Sequence, residues 1–154
     1  MDHRHRRART VTCAVVALAA CAGPVTPSVL VTRLADEPTS ADSLPGTLVP
    51  VEMDPGSARH LGELDGVAFY AGSGTRDDED IVCLVVVIPG GTPTDDSGVS
   101  TCGPVTDLDG SDLPVDVQMS GVRVTATLVP DGLPTDSGLT RVTPNLAATV
   151  DRTP

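Results

Sequence analysis

Residues 81–88, IVCLVVVI, are the most informative stretch of this 154-residue sequence. They are eight consecutive apolar residues, most of them β-branched, and they lie between Asp80 and the breaker sequence Pro-Gly-Gly at 89–91. A short, continuous apolar run with these boundaries is typical of a strand that is covered on both faces. The run therefore predicts a central strand in a β-rich domain.

The sequence after this run alternates between apolar and polar residues. Residues 113–119 place Val115 and Val117 on one face and Asp116 on the other, and residues 122–129 repeat the alternation after the turn sequence Ser-Gly at 120–121. This pattern predicts an antiparallel hairpin with one dry face. Shorter strands are expected at 67–71, 99–101, 139–142 and 146–150.

One helix start is visible. Asp54 is a favourable N-cap and Pro55 suits the first helical turn, so the sequence predicts a short helix in which Arg59 and Glu63 lie one turn apart. Gly62 limits its length. The expected fold is mainly β: a small antiparallel sandwich or half-open barrel with one disulfide and room for one short helix, preceded by a disordered tether.

The composition excludes some classes of function. The chain carries a net charge of −11, with no Trp, one Tyr and one Phe. Nucleic-acid binding requires a basic surface and aromatic stacking platforms, so it is not expected. The apolar content of 40% is too high for a wholly disordered chain, and 15 Gly with 14 Pro favour short strands and turns.

Residues 1–20 have the organisation of a secretory signal peptide. Four Arg precede residue 10, and residues 11–20 are uncharged with nine apolar residues out of ten. Ten residues form a helix of about 15 Å, roughly half the thickness of a bilayer core. This segment therefore predicts export and removal of the leader, and not a spanning anchor.

The sequence Leu18-Ala19-Ala20-Cys21 follows directly and resembles the lipobox of bacterial lipoproteins. The resemblance implies that the Cys21 thiol receives a diacylglycerol, that the chain is cut before it, and that acyl chains such as palmitate hold the protein on the extracytoplasmic face of the cell membrane. An ordinary secretory signal with an incidental Cys21 is the alternative. Export by the general route or the twin-arginine route is left open.

Residues 21–53 are expected to form a linker. They are rich in Pro, Ser and Thr and show no sustained period, which is typical of a flexible tether before a compact domain at 54–154. Without residues 1–20 the chain has six Arg and 20 acidic residues, a net charge of −14. Anionic lipid headgroups repel such a surface, so membrane attachment would depend on the lipid on Cys21.

Two cysteines lie after both the predicted signal peptide and the predicted lipidation position. Cys13 lies in the predicted signal peptide and Cys21 at the lipidation position, which leaves Cys83 and Cys102. In an exported chain such a pair is expected to be oxidised, and closing this loop contributes roughly 3 kcal/mol. Two free thiols are the alternative. The spacing is not Cys-x-x-Cys, which argues against a redox motif.

No catalytic set is apparent. His60 is the single histidine after the leader, and the sequence Gly-Ser-Gly at 72–74 differs from the Gly-x-Ser-x-Gly elbow of hydrolases. We therefore expect no enzyme activity and no cofactor. Asp107, Asp109 and Ser111 offer oxygen ligands at alternating positions with Asp112 beside them, but their order departs from the EF-hand loop and the closing Glu is absent, so no metal is expected either.

Residues 57–132 resemble small, functionally uncharacterised lipoproteins of high-GC Gram-positive bacteria. The shared features are Asp-Gly-Val with an aromatic pair at 65–70, VCLV at 82–85, a second cysteine, and LVPDG at 128–132. The resemblance implies no activity. The expected function is an exported, lipid-anchored envelope protein whose non-catalytic domain binds an envelope protein or a small ligand. The alternatives are an accessory subunit of an envelope complex and an envelope hydrolase.

Overall fold

A computed structural model of the protein describes residues 23–92, 94–135 and 138–152. The predicted signal peptide and Cys21 lie outside these residues. Eight strands form two antiparallel four-stranded sheets, so the expectation of a mainly β sandwich is confirmed, and no barrel is closed. The strands are β1 (Arg59–Leu64), β2 (Val67–Arg76), β3 (Glu79–Ile88), β4 (Ser97–Pro104), β5 (Leu113–Met119), β6 (Val122–Leu128), β7 (Thr140–Thr143) and β8 (Leu146–Arg152).

The first sheet is a meander in the order β1-β2-β3-β4, and the second has the order β5-β6-β8-β7. Two short helices are present, α1 (Pro27–Leu30) before the first sheet and α2 (Val105–Leu108) between β4 and β5. The helix α2 carries the chain from one sheet to the other. None of the helices in the described ranges is long and apolar enough to cross a membrane.

The strand β3 is covered on both faces, as its continuous apolar run predicts. It lies between β2 and β4, and all eight of its residues from 81 to 88 are buried. Val82, Leu84 and Val86 face the second sheet and belong to the main core. Cys83 and Val85 face the opposite way and belong to a second, smaller core on the outer face of the first sheet.

The two aromatic residues of β2 lie on opposite faces, as alternation requires. Phe69 is fully buried in the main core between the sheets. Tyr70 packs at the edge of the outer cluster and stays partly exposed.

The predicted hairpin of β5 and β6 is also confirmed, with Val117 opposite Val124. The main core takes residues from both sheets.

Short turns with positive φ connect the hairpins. Asp65 and Gly66 (φ 48° and 76°) join β1 to β2, and Ser120 and Gly121 (φ 52° and 74°) join β5 to β6. Two consecutive residues with φ > 0 form the turn whose twist matches that of paired strands, and Asp-Gly tolerates this conformation well. These turns fix the register of both hairpins.

The prediction of a helix after Asp54 was wrong. Pro55–Ser57 form a single 3₁₀ turn, and Arg59 and Glu63 lie in the strand β1. Glu63 pairs with Ala68 of β2, across the turn at 65–66. The local capping signal allows one turn, but from Arg59 onward the chain pairs with β2, and this tertiary contact outweighs the helical preference.

The prediction of a flexible linker over 21–53 also differs from the structure. The described part of it, residues 23–53, packs on the sandwich together with residues 54–58, and we call residues 23–58 the strap. Leu30 and Val31 enter the main core, and Met53 enters the outer one. The strap has no periodic pattern because its buried apolar residues are inserted one or two at a time, Leu30 and Val31 at the end of the four-residue helix α1 and Met53 at a single β-bridge, and no long element carries them.

Candidate functional site

A buried carboxylate holds the strap to β1. Asp42 accepts hydrogen bonds from the backbone N–H of His60 at 2.6 Å and from the Arg33 guanidinium at 2.9 Å through one oxygen. Its other oxygen accepts the backbone N–H and the hydroxyl of Thr39 at 2.7 and 2.9 Å. The Asp42 side chain is only 2% exposed and the Arg33 side chain 28%, so these bonds are partly buried.

The ionised form of Asp42 is strongly favoured. Burial raises the pKa of this carboxyl, but the hydrogen bonds from Thr39 and His60 and the charge of Arg33 outweigh that effect, and the pKa falls from 3.8 to about 2. Asp42 is therefore charged throughout the physiological range. Its role in this structure is to fasten the strap.

A second clamp joins the strap to the loop after β6. Asp131 accepts the backbone N–H of Thr32 at 2.8 Å and the side-chain amide of Asn145 at 2.7 Å. The backbone N–H of Asp131 in turn donates to the carbonyl oxygen of Leu30 at 2.7 Å. Burial raises the pKa of the Asp131 carboxyl. The hydrogen bonds from Asn145 and Thr32 outweigh this effect, so the pKa lies below its usual value. The strap and the β7–β8 turn are thus connected through this loop.

A cleft of about 350 Å³ lies between these two clamps. Arg33 and His60 line one side, and Asp131, Pro144 and Asn145 line the other. Its charged groups are already bound within the protein, because Arg33 contacts Asp42 and Asp131 contacts Asn145. We refer to it as the strap cleft. It is a seam of the fold whose charged groups Arg33, Asp36 and Asp131 are bound within the protein, but the buried hydroxyl of Thr143, which also lines it, has no hydrogen-bond partner among the described residues.

A groove of about 460 Å³ lies on the outer face of the first sheet, and we call it the Tyr70 groove. The ring of Tyr70 packs against His60 with the ring centroids 5.1 Å apart and the planes tilted by 58°. Burial raises the pKa of the Tyr70 hydroxyl, and the charges of Glu63, Asp42 and Asp96 raise it further. The groove is lined by strap residues, strand residues and both ends of the β3–β4 connection, among them Ser43, Pro45, Glu63, Tyr70, Pro89 and Asp96.

The predicted disulfide is present. Cys83 of β3 and Cys102 of β4 are directly paired neighbours, and their sulfur atoms are bonded. The bond lies on the outer face of the first sheet, where Cys83 is fully buried in the outer cluster. It connects an edge strand to the central strand of its sheet.

The acidic residues considered for calcium do not converge. Asp112 accepts a hydrogen bond from the hydroxyl of Thr127 at 2.8 Å, and the carbonyl oxygen of Asp107 accepts the hydroxyl of Ser111. Both contacts stabilise the turn between α2 and β5. Across residues 23–92, 94–135 and 138–152, no three His, Cys, Asp or Glu side chains approach as a metal ion would require.

The Gly-Ser-Gly sequence at 72–74 has a structural role. Gly72 lies against the Met53 side chain and Gly74 against the Glu52 backbone, where the strap forms a single β-bridge with β2. The Ser73 backbone exchanges two hydrogen bonds with the Ser57 hydroxyl, at 2.7 and 2.9 Å. Here β2 extends beyond β1, and the strap covers its free edge.

No protein-family model, no curated protein sequence and no solved structure matches this chain.

Sequence reasoning found the disulfide but missed the clamps and the groove. Asp131 belongs to the LVPDG motif and Asp42 completes a Thr-x-x-Asp capping pattern with Thr39, but neither local pattern shows which distant segment the carboxylate contacts. The one available signal for the groove is the alternation in β2, which places Tyr70 opposite the core residue Phe69. The alternation could show which face of the sheet Tyr70 occupies. It could not show that Glu63 and Asp96 lie beside Tyr70.

Proposed function

We propose that this chain is an exported, lipid-anchored protein of the cell envelope. Residues 1–20 are removed as a signal peptide, Cys21 carries the lipid, and the folded domain lies at the extracytoplasmic face of the cell membrane. There it binds a small ligand or an envelope protein without catalysing a reaction.

One observation carries the proposal: the order of features in residues 1–21. An Arg-rich start is followed by a ten-residue apolar segment that ends in Leu18-Ala19-Ala20, and Cys21 comes directly after it. A thiol at this position can form a thioether with a lipid, and the small residues before it leave the backbone accessible to a peptidase. Two or more acyl chains provide durable membrane attachment, since each buried CH₂ contributes about 0.8 kcal/mol.

The disulfide supports the same compartment. The bond between Cys83 and Cys102 joins the two cysteines that remain after the leader and the anchor are assigned. Such bonds form and persist in oxidising surroundings and are rare in the reducing cytosol. An exported domain is the simplest setting for this pair.

The packing of the strap determines how close the domain lies to the anchor. Leu30 and Val31 are buried in the main core, so only residues 22–29 separate them from Cys21. Eight residues span on the order of 27 Å at full extension. In the proposed state the domain therefore lies near the membrane surface, and it is not displayed on the long tether that residues 21–53 would form as a coil.

The surroundings of His60 support a binding role. Among the described residues, the His60 ring packs on Tyr70 and makes no hydrogen bond to a hydroxyl or carboxylate. A general base needs a hydrogen-bonded nucleophile and an orienting partner. The contacts of His60 are those of a structural side chain that packs on Tyr70 and lines the strap cleft.

Intact-mass analysis of the processed protein tests the proposal. Expressed in a bacterium that makes lipoproteins, the chain should begin at Cys21, carry a diacylglyceryl adduct and fractionate with membranes. The Cys21→Ser variant should be uncut or released, whereas the matched Cys13→Ser variant should be processed and retained like the parent. A mature chain that begins elsewhere, or that carries no lipid, would contradict the anchor.

A further inference from the structure

The Tyr70 groove combines an aromatic face with negative charge. Tyr70 is the one aromatic side chain outside the main core, because Phe69 is fully buried and the chain has no Trp. The ring lines a concave surface of about 460 Å³, which is large enough for a small molecule. In a chain with so few aromatic residues, a partly exposed ring in a groove is a specific feature.

Two carboxylates border this groove, and neither forms an ion pair among the described residues, although the Arg152 guanidinium lies near its rim at Gly66, where it donates to the carbonyl oxygen of Asp65. Glu63 is exposed and Asp96 is partly exposed, and neither belongs to any of the four ion pairs formed among the described residues. The groove lining contains no Arg. Asp96 is also held in place, because its carboxylate accepts the backbone N–H of Gly90 at 3.0 Å. The carboxylate is therefore positioned before any ligand arrives.

The negative potential reaches the ring itself. After burial, the charges of Glu63, Asp42 and Asp96 are the causes that raise the pKa of the Tyr70 hydroxyl, so all three lie close enough to act on it. Asp42 is offset by Arg33, which leaves Glu63 and Asp96 as the two carboxylates that form no ion pair within the described ranges. An anionic ligand would be repelled here, and a cation would be attracted.

A metal ion does not suit this surface. The structure shows no set of three metal-ligating side chains in the described ranges, and a bare divalent ion needs several oxygen ligands to replace its water. An organic cation has weaker requirements. Its diffuse charge is attracted to the face of a tyrosine ring and to one or two nearby carboxylates, and its apolar groups fill the space between them.

We propose that the Tyr70 groove binds a small organic cation, a quaternary ammonium or protonated amine, over the ring of Tyr70 and between Glu63 and Asp96. The proposal deepens the binding role described above by naming the ligand class and its site. It does not depend on the lipid anchor, because the groove is built entirely from residues of the folded domain.

The chain offers a direct spectroscopic readout. It has one Tyr and no Trp, so its tyrosine fluorescence reports on Tyr70 alone. We would titrate the purified processed protein, in a non-ionic detergent and at low ionic strength, with choline. The control ligand is 3,3-dimethylbutan-1-ol, which has the same shape without the charge. Choline should change the emission saturably, and the neutral alcohol should leave it unchanged.

Substitutions at the groove should weaken binding selectively. Glu63→Gln and Asp96→Asn each remove one charge, and the new amide oxygen at 96 can still accept the Gly90 N–H. Each should raise the dissociation constant of choline by about threefold to tenfold. Asp151→Asn removes an equal charge from the exposed end of β8 on the other sheet and should change it by less than about twofold. Tyr70→Leu, followed by calorimetry, should abolish measurable binding.

A second cation identifies the source of the ligand. Nα-acetyl-lysine methylamide represents a lysine side chain of a peptide; if it binds more tightly than choline, the natural ligand is a protein amine, and the reverse order indicates a free quaternary amine. Either order supports a cation site. Equal binding of the neutral alcohol, no saturable response to either cation, or an equal loss in Asp151→Asn would overturn it. The anchor is tested separately by the mass of the processed chain, so the two failures are distinguishable.

Discussion

The carboxylate of Asp42 accepts the backbone N–H of His60 at 2.6 Å, and this bond joins the strap to the first strand of the sandwich. The same carboxylate binds Arg33 and Thr39 of the strap itself. One buried side chain therefore organises the turn that precedes it and docks that turn on β1. Several expected outcomes can be derived from this contact and from the packing around it.

Replacing Asp42 by Asn should destabilise the fold. The amide presents an N–H₂ group where one carboxylate oxygen now accepts hydrogen bonds, and Arg33 loses its sheltered partner. We expect the free energy of unfolding to fall by about 2 kcal/mol, measured by urea titration. Asp36→Asn is the matched control, because Asp36 contacts the same Arg33 but its side chain is 59% exposed. This substitution should lower the free energy of unfolding by less than about 0.5 kcal/mol. Equal losses in both variants would show that burial of the pair is unimportant.

The Asp42 contact should also be sensitive to acid. Because the pKa of Asp42 is depressed to about 2 in the folded state, its contribution is fully present above the unfolded pKa of about 3.9 and is lost as the pH falls towards 2. The shift corresponds to about 2 kcal/mol. Urea titrations from pH 6 to pH 2 should show the stability difference between the parent and Asp42→Asn shrinking in this window. A difference that stays constant would contradict the assignment.

Adjacent residues of the strap distinguish a docked segment from a flexible linker. Leu30 is 8% exposed in the main core, whereas its neighbour Val29 is 61% exposed. Leu30→Ala should lower the free energy of unfolding by about 2 to 3 kcal/mol, and Val29→Ala should change it by less than about 0.5 kcal/mol. Thermal or urea unfolding measures both. If the two variants are equally neutral, the strap is not part of the core.

The crossing of the strap over β2 requires glycine at position 74. A Cβ at Gly74 would collide with the backbone oxygen of Glu52, which the backbone hydrogen bond from Thr75 holds in place. We expect Gly74→Ala to destabilise the fold by about 2 kcal/mol. Gly56→Ala, whose Cβ would meet nothing within 4 Å, should be nearly neutral in the same denaturation assay. A neutral Gly74→Ala would mean that the strap can shift away without cost.

The disulfide should make a measurable contribution to stability. Replacing both Cys83 and Cys102 by Ala removes a link that closes a loop of 19 residues and should cost about 3 kcal/mol. The parent protein should lose stability in reductant, and the double variant should be insensitive to it. If the reductant changes the stability of the parent and of the double variant equally, or changes neither, the bond does not form in the purified protein.

Local patterns were enough to predict most of the sandwich. The continuous apolar run of β3, the alternation in β5 and β6, and the Ser-Gly turn between them each depend on neighbours in sequence, and all are present in the structure. Export and lipidation are likewise expectations from a local pattern in residues 1–21, which lie outside the described residues. The cysteine pair was predicted by counting, because two thiols in an exported chain have few other roles.

The packing of the strap and the formation of the Tyr70 groove depend on the tertiary structure and could not be predicted from local sequence. Apolar residues such as Leu30 and Met53 are isolated among Pro, Ser and Thr, so their sequence resembles a linker, and only the faces of the finished sheets give them a place to be buried. Helix capping at Asp54 was outweighed in the same way by pairing of β1 with β2. Sequence determines local conformation through steric and hydrogen-bonding preferences over a few residues. Burial and electrostatic proximity, including that of Tyr70 to Asp96, arise only when distant segments meet.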